Sequence, residues 1–201
     1  MHIYCVYHIK KQNNYKILFL HMSLSKNAIA SNNDNEEIDA INKDLIFGIS
    51  KTLNLVLEEN KKLPDYKAIV KQQSKMPFSA AAVPAIPIFD YLIRIQTYSG
   101  LDKTTLIVTL IYIDRICEIA QITITYYNIH RLLFAAALLA IKYNEDCYYE
   151  NSYYAQIAGV TTKELKRIEY TFLDLINFNL FVEDKQYVKY KNYLSQYFTG
   201  K

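Results

Sequence analysis

Ten consecutive apolar residues, Leu132 to Ile141 (LLFAAALLAI), constrain this chain more than any other feature. Coiled as a helix they leave no polar face, and such a helix is normally surrounded on all sides. The run is too short and too closely flanked by charge to cross a bilayer, which takes about 20 apolar residues. It is therefore read as the central helix of a helical bundle. Its four alanines, Ala135, Ala136, Ala137 and Ala140, let neighbouring helices come close.

The rest of the chain supplies those neighbours. Ile38, Ile41, Leu45, Ile46, Ile49, Leu53, Val56 and Leu57 recur at helical spacing and predict a leading amphipathic helix over 36–60. A stretch rich in Lys, Ala and Pro, 61–86, reads as a linker. Pro87 suits a first helical position, and Ile88, Leu92, Ile95 and Tyr98 continue that helix to a break at Gly100. Asp102 can cap the next helix, which carries Leu106, Leu110, Ile113 and Cys117. Thr125 is the expected cap of the central helix, from Tyr126 to Tyr143. A short fourth helix covers 152–158 before Gly159, and Thr161 with Glu164 forms a capping box for the fifth. Phe178 to Phe181 reads as an extended link, and a C-terminal helix fills 182–201. No strand pattern competes. The expected fold is all-α, five helices (87–181) around a buried central one, with one leading and one trailing helix. Residues 1–35, polar and rich in turn formers, are expected to be disordered or loosely docked.

A chain of 201 residues has room for one such domain plus an extension. Its net charge of +3 comes from basic residues that are scattered rather than bunched, which argues against nucleic acid as a partner. Cys5, Cys117 and Cys147 are odd in number and far apart, so neither a disulfide framework nor a zinc site is expected. The apolar stretch Ile17 to Leu20 is too short for a signal-peptide core. A soluble, intracellular protein, in nucleus or cytoplasm, with no membrane partner, is the expectation.

Catalytic patterns are missing as well. The sequence contains no glycine-rich phosphate loop, no HExxH and no GxSxG. Of its four histidines, His2, His8 and His21 fall in the N-terminal segment, and His130 reads as a hydrogen-bonded structural residue. No cofactor, metal or small-molecule substrate is called for.

Three motifs carry a resemblance. Tyr112-Ile113-Asp114-Arg115 resembles the Y-hydrophobic-D-R signature of the cyclin box. Leu138 to Glu145 (LLAIKYNE) resembles that family's L-x-A-x-K-aromatic-x-E element. Arg167-Ile168-Glu169, followed by Leu173 and Phe178-Asn179-Leu180, is similar to its closing tail. Together, in order and on the predicted helices, they are similar to a single cyclin box. Ile88 to Ile95, Asn128 to Leu133, Tyr148 to Ala155 and Gly159 to Leu165 look most like the P-type or U-type branch, the phosphate-signalling (Pho-like) cyclins of fungi and their plant relatives.

The resemblance implies a non-catalytic, activating subunit of a cyclin-dependent protein kinase. It implies that Lys142 and Glu169 contact the kinase's regulatory C-helix and the loop before it, with Tyr143, Leu173, Phe178 and Leu180 as the apolar surround. Tyr112, Asp114 and Arg115 are carried over as scaffold residues. Beside this stand plainer readings: Lys142 and Glu169 can simply pair with each other, and Tyr148, Tyr149, Tyr153 and Tyr154 can be either a partner-facing patch or ordinary packing. The stretch Val83 to Ile88 departs from the M-R-A-I-L motif of mitotic-type cyclins, so docking of R-x-L substrates is not implied. The arginine that pairs with the aspartate matching Asp114 is absent too, leaving Arg94 or Arg131 as substitutes. The alternatives to a kinase subunit are an adaptor of the same fold that recruits a non-kinase partner and a nucleic-acid binder of the general transcription factor kind. The latter typically has two boxes and a basic face.

Overall fold

A computed structural model describes residues 34–198, with side chains described over 43–195. The expectation for residues 1–35 thus falls almost wholly outside the described residues. Eight helices and no strand are found among them: α1 (Asp34–Lys61), α2 (Tyr66–Gln73), α3 (Ile88–Ser99), α4 (Lys103–Ile119), α5 (Ile129–Asn144), α6 (Asn151–Ala158), α7 (Thr162–Leu175) and α8 (Asp184–Phe198).

The apolar run forms α5, and every residue from Leu132 to Ile141 is buried. Four helices, α3, α4, α6 and α7, enclose it. The alanines are completely covered, which is what close approach of those neighbours requires. Outside this shell, α1 lays Leu45, Ile46, Ile49, Leu53, Val56 and Leu57 across α3 and α4. The trailing helix α8 packs beside it on α1 and α4.

Local chemistry sets most boundaries as expected. Asp102 accepts a hydrogen bond from the Thr105 N–H at 2.7 Å and caps α4. Thr161 and Glu164 form the reciprocal capping box of α7. Gly159 closes α6 in the left-handed region, with φ +72°, where only glycine sits without strain.

Four expectations need correction. The central helix begins at Ile129 rather than Tyr126. Asn128 is the reason: its side chain accepts from the Thr125 N–H and donates to the Thr123 carbonyl, holding 123–128 as a turn. Pro87 stands just outside α3, with extended ψ of 151°, and its carbonyl accepts the Tyr91 N–H. The stretch 61–86 is not a plain linker, because it contains α2 and is pinned to the bundle. Phe78 is buried edge-on against Phe172, the Pro77 carbonyl accepts from Arg131, and the Ala80 N–H donates to the Tyr127 carbonyl. Finally, the link after α7 is not extended at its start: Asn177 and Phe178 both have φ of 54°.

His130 is structural, with Nε2 2.8 Å from the Ile86 carbonyl and its ring edge-on to Tyr91. Because a carbonyl only accepts, Nε2 carries the proton. Burial lowers its pKa from the ordinary value, so folding favours the neutral ring. That contribution is whole above about pH 6.5, the unfolded value, and shrinks as pH falls below it. The urea midpoint should accordingly decline from pH 7 to pH 5, and His130→Gln should flatten that decline. Ala136→Leu, which forces a larger side chain into the closed shell, should cost about 1–3 kcal/mol in the same assay.

Candidate functional site

A helix buried on every side meets solvent only at its ends. At the C-terminal end of α5 stand Lys142, half-buried, and Tyr143, about half exposed. A cation is favoured there by the unsatisfied carbonyls of the last turn. Glu169 faces it from α7, and Lys142 Nζ lies 2.6 Å from Glu169 Oε1. The two charges therefore do pair with each other. Their side chains are only 22% and 14% exposed, so the pair is shielded far more than an ordinary surface ion pair. Asn151, at the start of α6, touches both partners.

Aromatic side chains flank this pair. Lys142 Nζ lies 5.9 Å from the centre of the Tyr148 ring. Tyr170, next to Glu169, meets Phe178 edge-on at 6.5 Å. Tyr148, Tyr170, Phe178 and Tyr143, the last next to Lys142 in sequence, are each more than half exposed, as is Phe181 further along the same link. Exposed aromatic rings beside a shielded charge pair have the composition of a protein-contact surface. Leu173 and Leu180 lie partly beneath it, packed against the core.

The Y-x-D-R signature explains how part of this surface is held. Tyr112 is fully buried and its hydroxyl donates to the Leu180 carbonyl at 2.7 Å. Arg115 donates to the carbonyls of Asn179 and Phe181 and to the side chain of Gln186, while its guanidinium lies over the Tyr112 ring. Burial pushes the Tyr112 phenol up, so it stays a donor throughout the physiological range. The clamp matters because Phe178 is bulky and left-handed, a conformation costing about 1–3 kcal/mol. Held at Asn179, Leu180 and Phe181, the turn keeps Phe178 projected outward.

Asp114 plays a different part. It is buried, and the Tyr190 hydroxyl of α8 donates to it. Neither arginine offered as its partner is seen to bond it: Arg94 donates to the Gln156 carbonyl, and Arg131 reaches Pro77 and Glu164. Tyr148, Tyr149, Tyr153 and Tyr154 divide between the two readings given above. Tyr154 is buried and Tyr153 bonds the Tyr98 carbonyl, whereas Tyr148 and Tyr149 are exposed. Sequence reasoning did not single out Asn151, Tyr170 or Phe181 as site residues. Only Tyr170, adjacent to Glu169, carried a readable signal. Among the described residues no helix is long and apolar enough to cross a membrane.

The fold and this edge define a single all-helical box built round one buried helix, with its signature residues clamping the segment after α7. The Cyclin family model matches residues 20–180, and this chain belongs to the cyclin family. It is 32% identical to Cyclin-U4-1 of Arabidopsis thaliana over 166 residues, which cover 81% of this chain and 80% of that protein. It is 32% identical to the PHO85 cyclin-like protein psl1 of Schizosaccharomyces pombe over 184 residues (82% and 76%). PHO85 cyclin-7 of Saccharomyces cerevisiae is 30% identical over 173 residues (77% and 61%). Within the family the chain is thus similar to U-type and PHO85 cyclins.

Removing the clamp should loosen the link without dismantling the bundle. Arg115→Ala is expected to lower stability by about 1.5–3 kcal/mol, the range for hydrogen bonds to a charged group. Hydrogen exchange should then rise selectively over 178–182.

Proposed function

We propose that this chain is the regulatory, activating subunit of a cyclin-dependent protein kinase of the PHO85 kind or a related one. It docks through the edge where α5 ends. The observation that carries this reading is the Lys142–Glu169 pair, 2.6 Å apart and mostly shielded, set among exposed aromatic rings. One relative is named a PHO85 cyclin and another a PHO85 cyclin-like protein, which supports the choice of partner.

The chemistry suits backbone recognition. An ammonium has three donors and a carboxylate about four acceptor positions. Two of Lys142's three donors are engaged within the chain, by Glu169 and Asn151. A third donor and several Glu169 lone pairs are left for carbonyl and N–H groups of a partner. Tyr143 and Phe178, with the accessible parts of Leu173 and Leu180, surround these contacts and exclude water, which strengthens them. As the family resemblance implies, docking holds the kinase C-helix inward, so that its glutamate meets the phosphate-binding lysine. The chain then acts as an allosteric effector, binding one kinase state better than the other. It contributes no reacting group of its own and needs neither nucleic acid nor membrane. Its place is wherever such kinases work, in nucleus or cytoplasm.

The test is co-purification with a panel of the host's cyclin-dependent kinases, followed by phosphorylation of a histone-type substrate with and without the chain. One kinase should bind and be activated. The Lys142→Ala/Glu169→Ala variant, still folded by circular dichroism, should lose about 2–5 kcal/mol of binding. Undiminished activation by that variant, or binding to none of the kinases, would rule the proposal out.

A further inference from the structure

Lys142 and Glu169 are not joined by their ion pair alone. Asn151 Oδ1 accepts from Lys142 Nζ at 2.6 Å, and Asn151 Nδ2 donates to Glu169 Oε2 at 2.8 Å. With the direct Lys142–Glu169 contact at 2.6 Å, the three side chains close a ring. The amide orientation follows from the chemistry, since only the oxygen can face an ammonium and only the nitrogen a carboxylate. We propose that Asn151 is a positioning residue for partner docking: it fixes the lysine and the carboxylate in one geometry before any partner arrives. This rests on the reading of that pair as the kinase-docking contact.

Three observations carry it. A side-chain amide offers a donor and an acceptor on one carbon, which an aspartate, carrying acceptors only, cannot reproduce toward these two partners. The backbone under Asn151 is itself held in place. Tyr154 is buried and accepts from the Tyr149 N–H at 3.3 Å, and the Tyr153 hydroxyl donates to the Tyr98 carbonyl at 2.7 Å. Finally, the ring engages two of the three lysine donors and leaves the third unused by it, so the rotamer freedom that a free lysine loses on binding is lost already in the unbound chain. Pre-organisation of that kind raises affinity without adding a contact.

The consequence separates positioning from stability. Asn151 is the first residue of α6. An aspartate there is favoured by the helix N-terminus, yet it sets a second carboxylate against Glu169 and draws Lys142 away. Asn151→Asp should therefore weaken kinase binding about tenfold, the scale expected for restoring one long side chain's freedom, while the chain stays folded at the temperature of the binding assay. Ser152→Asp adds the same charge one residue along, at an exposed position outside the ring, and should bind as the unaltered chain does.

The experiment is a titration of the kinase that the unaltered chain activates, with full-length Asn151→Asp, Ser152→Asp and Lys142→Ala/Glu169→Ala in parallel, beside melting curves of each. Loss of affinity confined to Asn151→Asp and the double variant, with Asn151→Asp still folded at the assay temperature by its melting curve, bears the inference out. If Asn151→Asp binds normally while the double variant does not, Asn151 has no positioning role and the docking reading survives. Equal losses for Asn151→Asp and Ser152→Asp would assign the effect to added charge and overturn the inference. Normal binding by the double variant would remove the docking reading and this inference with it.

Discussion

Everything in this structure follows from burying one helix on all sides. Because α5 has no polar face, α3, α4, α6 and α7 must close around it, and the alanines set how near they come. Such a helix can carry polar groups only at its ends. Lys142 stands where the apolar run stops, beside carbonyls with no further turn to accept from. The site is thus a consequence of the core.

The two conspicuous groups of polar residues divide the work. Tyr112 and Arg115 spend their donors on backbone carbonyls of the segment after α7. That contact lets a left-handed phenylalanine persist on the surface, where an unclamped turn would relax. Asp114, between them in sequence, turns instead to Tyr190 and ties α8 to the bundle. One four-residue motif therefore links the central pair of helices both to the candidate docking edge and to the trailing helix. The second group, Lys142, Asn151 and Glu169, joins the ends of α5 and α6 to the middle of α7. These side chains brace a face assembled from three helices and a strained turn, above the core packing that holds the helices together.

Much of the fold was legible in the sequence, for physical reasons. The polarless run could be nothing but a surrounded helix or a bilayer span, and its length excluded the latter. Asp102 and the Thr161–Glu164 box mark helix starts by short-range chemistry, which sequence spacing preserves. What sequence did not reveal depends on partners distant along the chain or on backbone atoms. The carbonyls of Asn179, Leu180 and Phe181 have no side-chain signature, so the role of Tyr112 and Arg115 as a clamp was invisible even though the motif was not. Tyr190 reaches Asp114 across the whole box. Asn128 overrode Thr125 as organiser of the turn before α5, since either residue type serves there by propensity. Helix α2 was missed because two turns in a Lys- and Ala-rich stretch carry little periodic signal and bury no residue, and the anchorage of the segment after it depends on Phe78 finding Phe172. Asn151 looked like one more polar residue at a helix start.

The claim at the centre of this account is that the partner kinase covers the edge where α5 ends. Hydrogen–deuterium exchange of the full chain, free and bound to the kinase it activates, measures that directly. The account predicts protection concentrated in the last turn of α5, the start of α6, the middle of α7 and the 178–181 turn, with α2 and the exposed side of α8 unchanged. Protection confined to α1, α2 or α8, with those four segments exchanging as in the free chain, would contradict it.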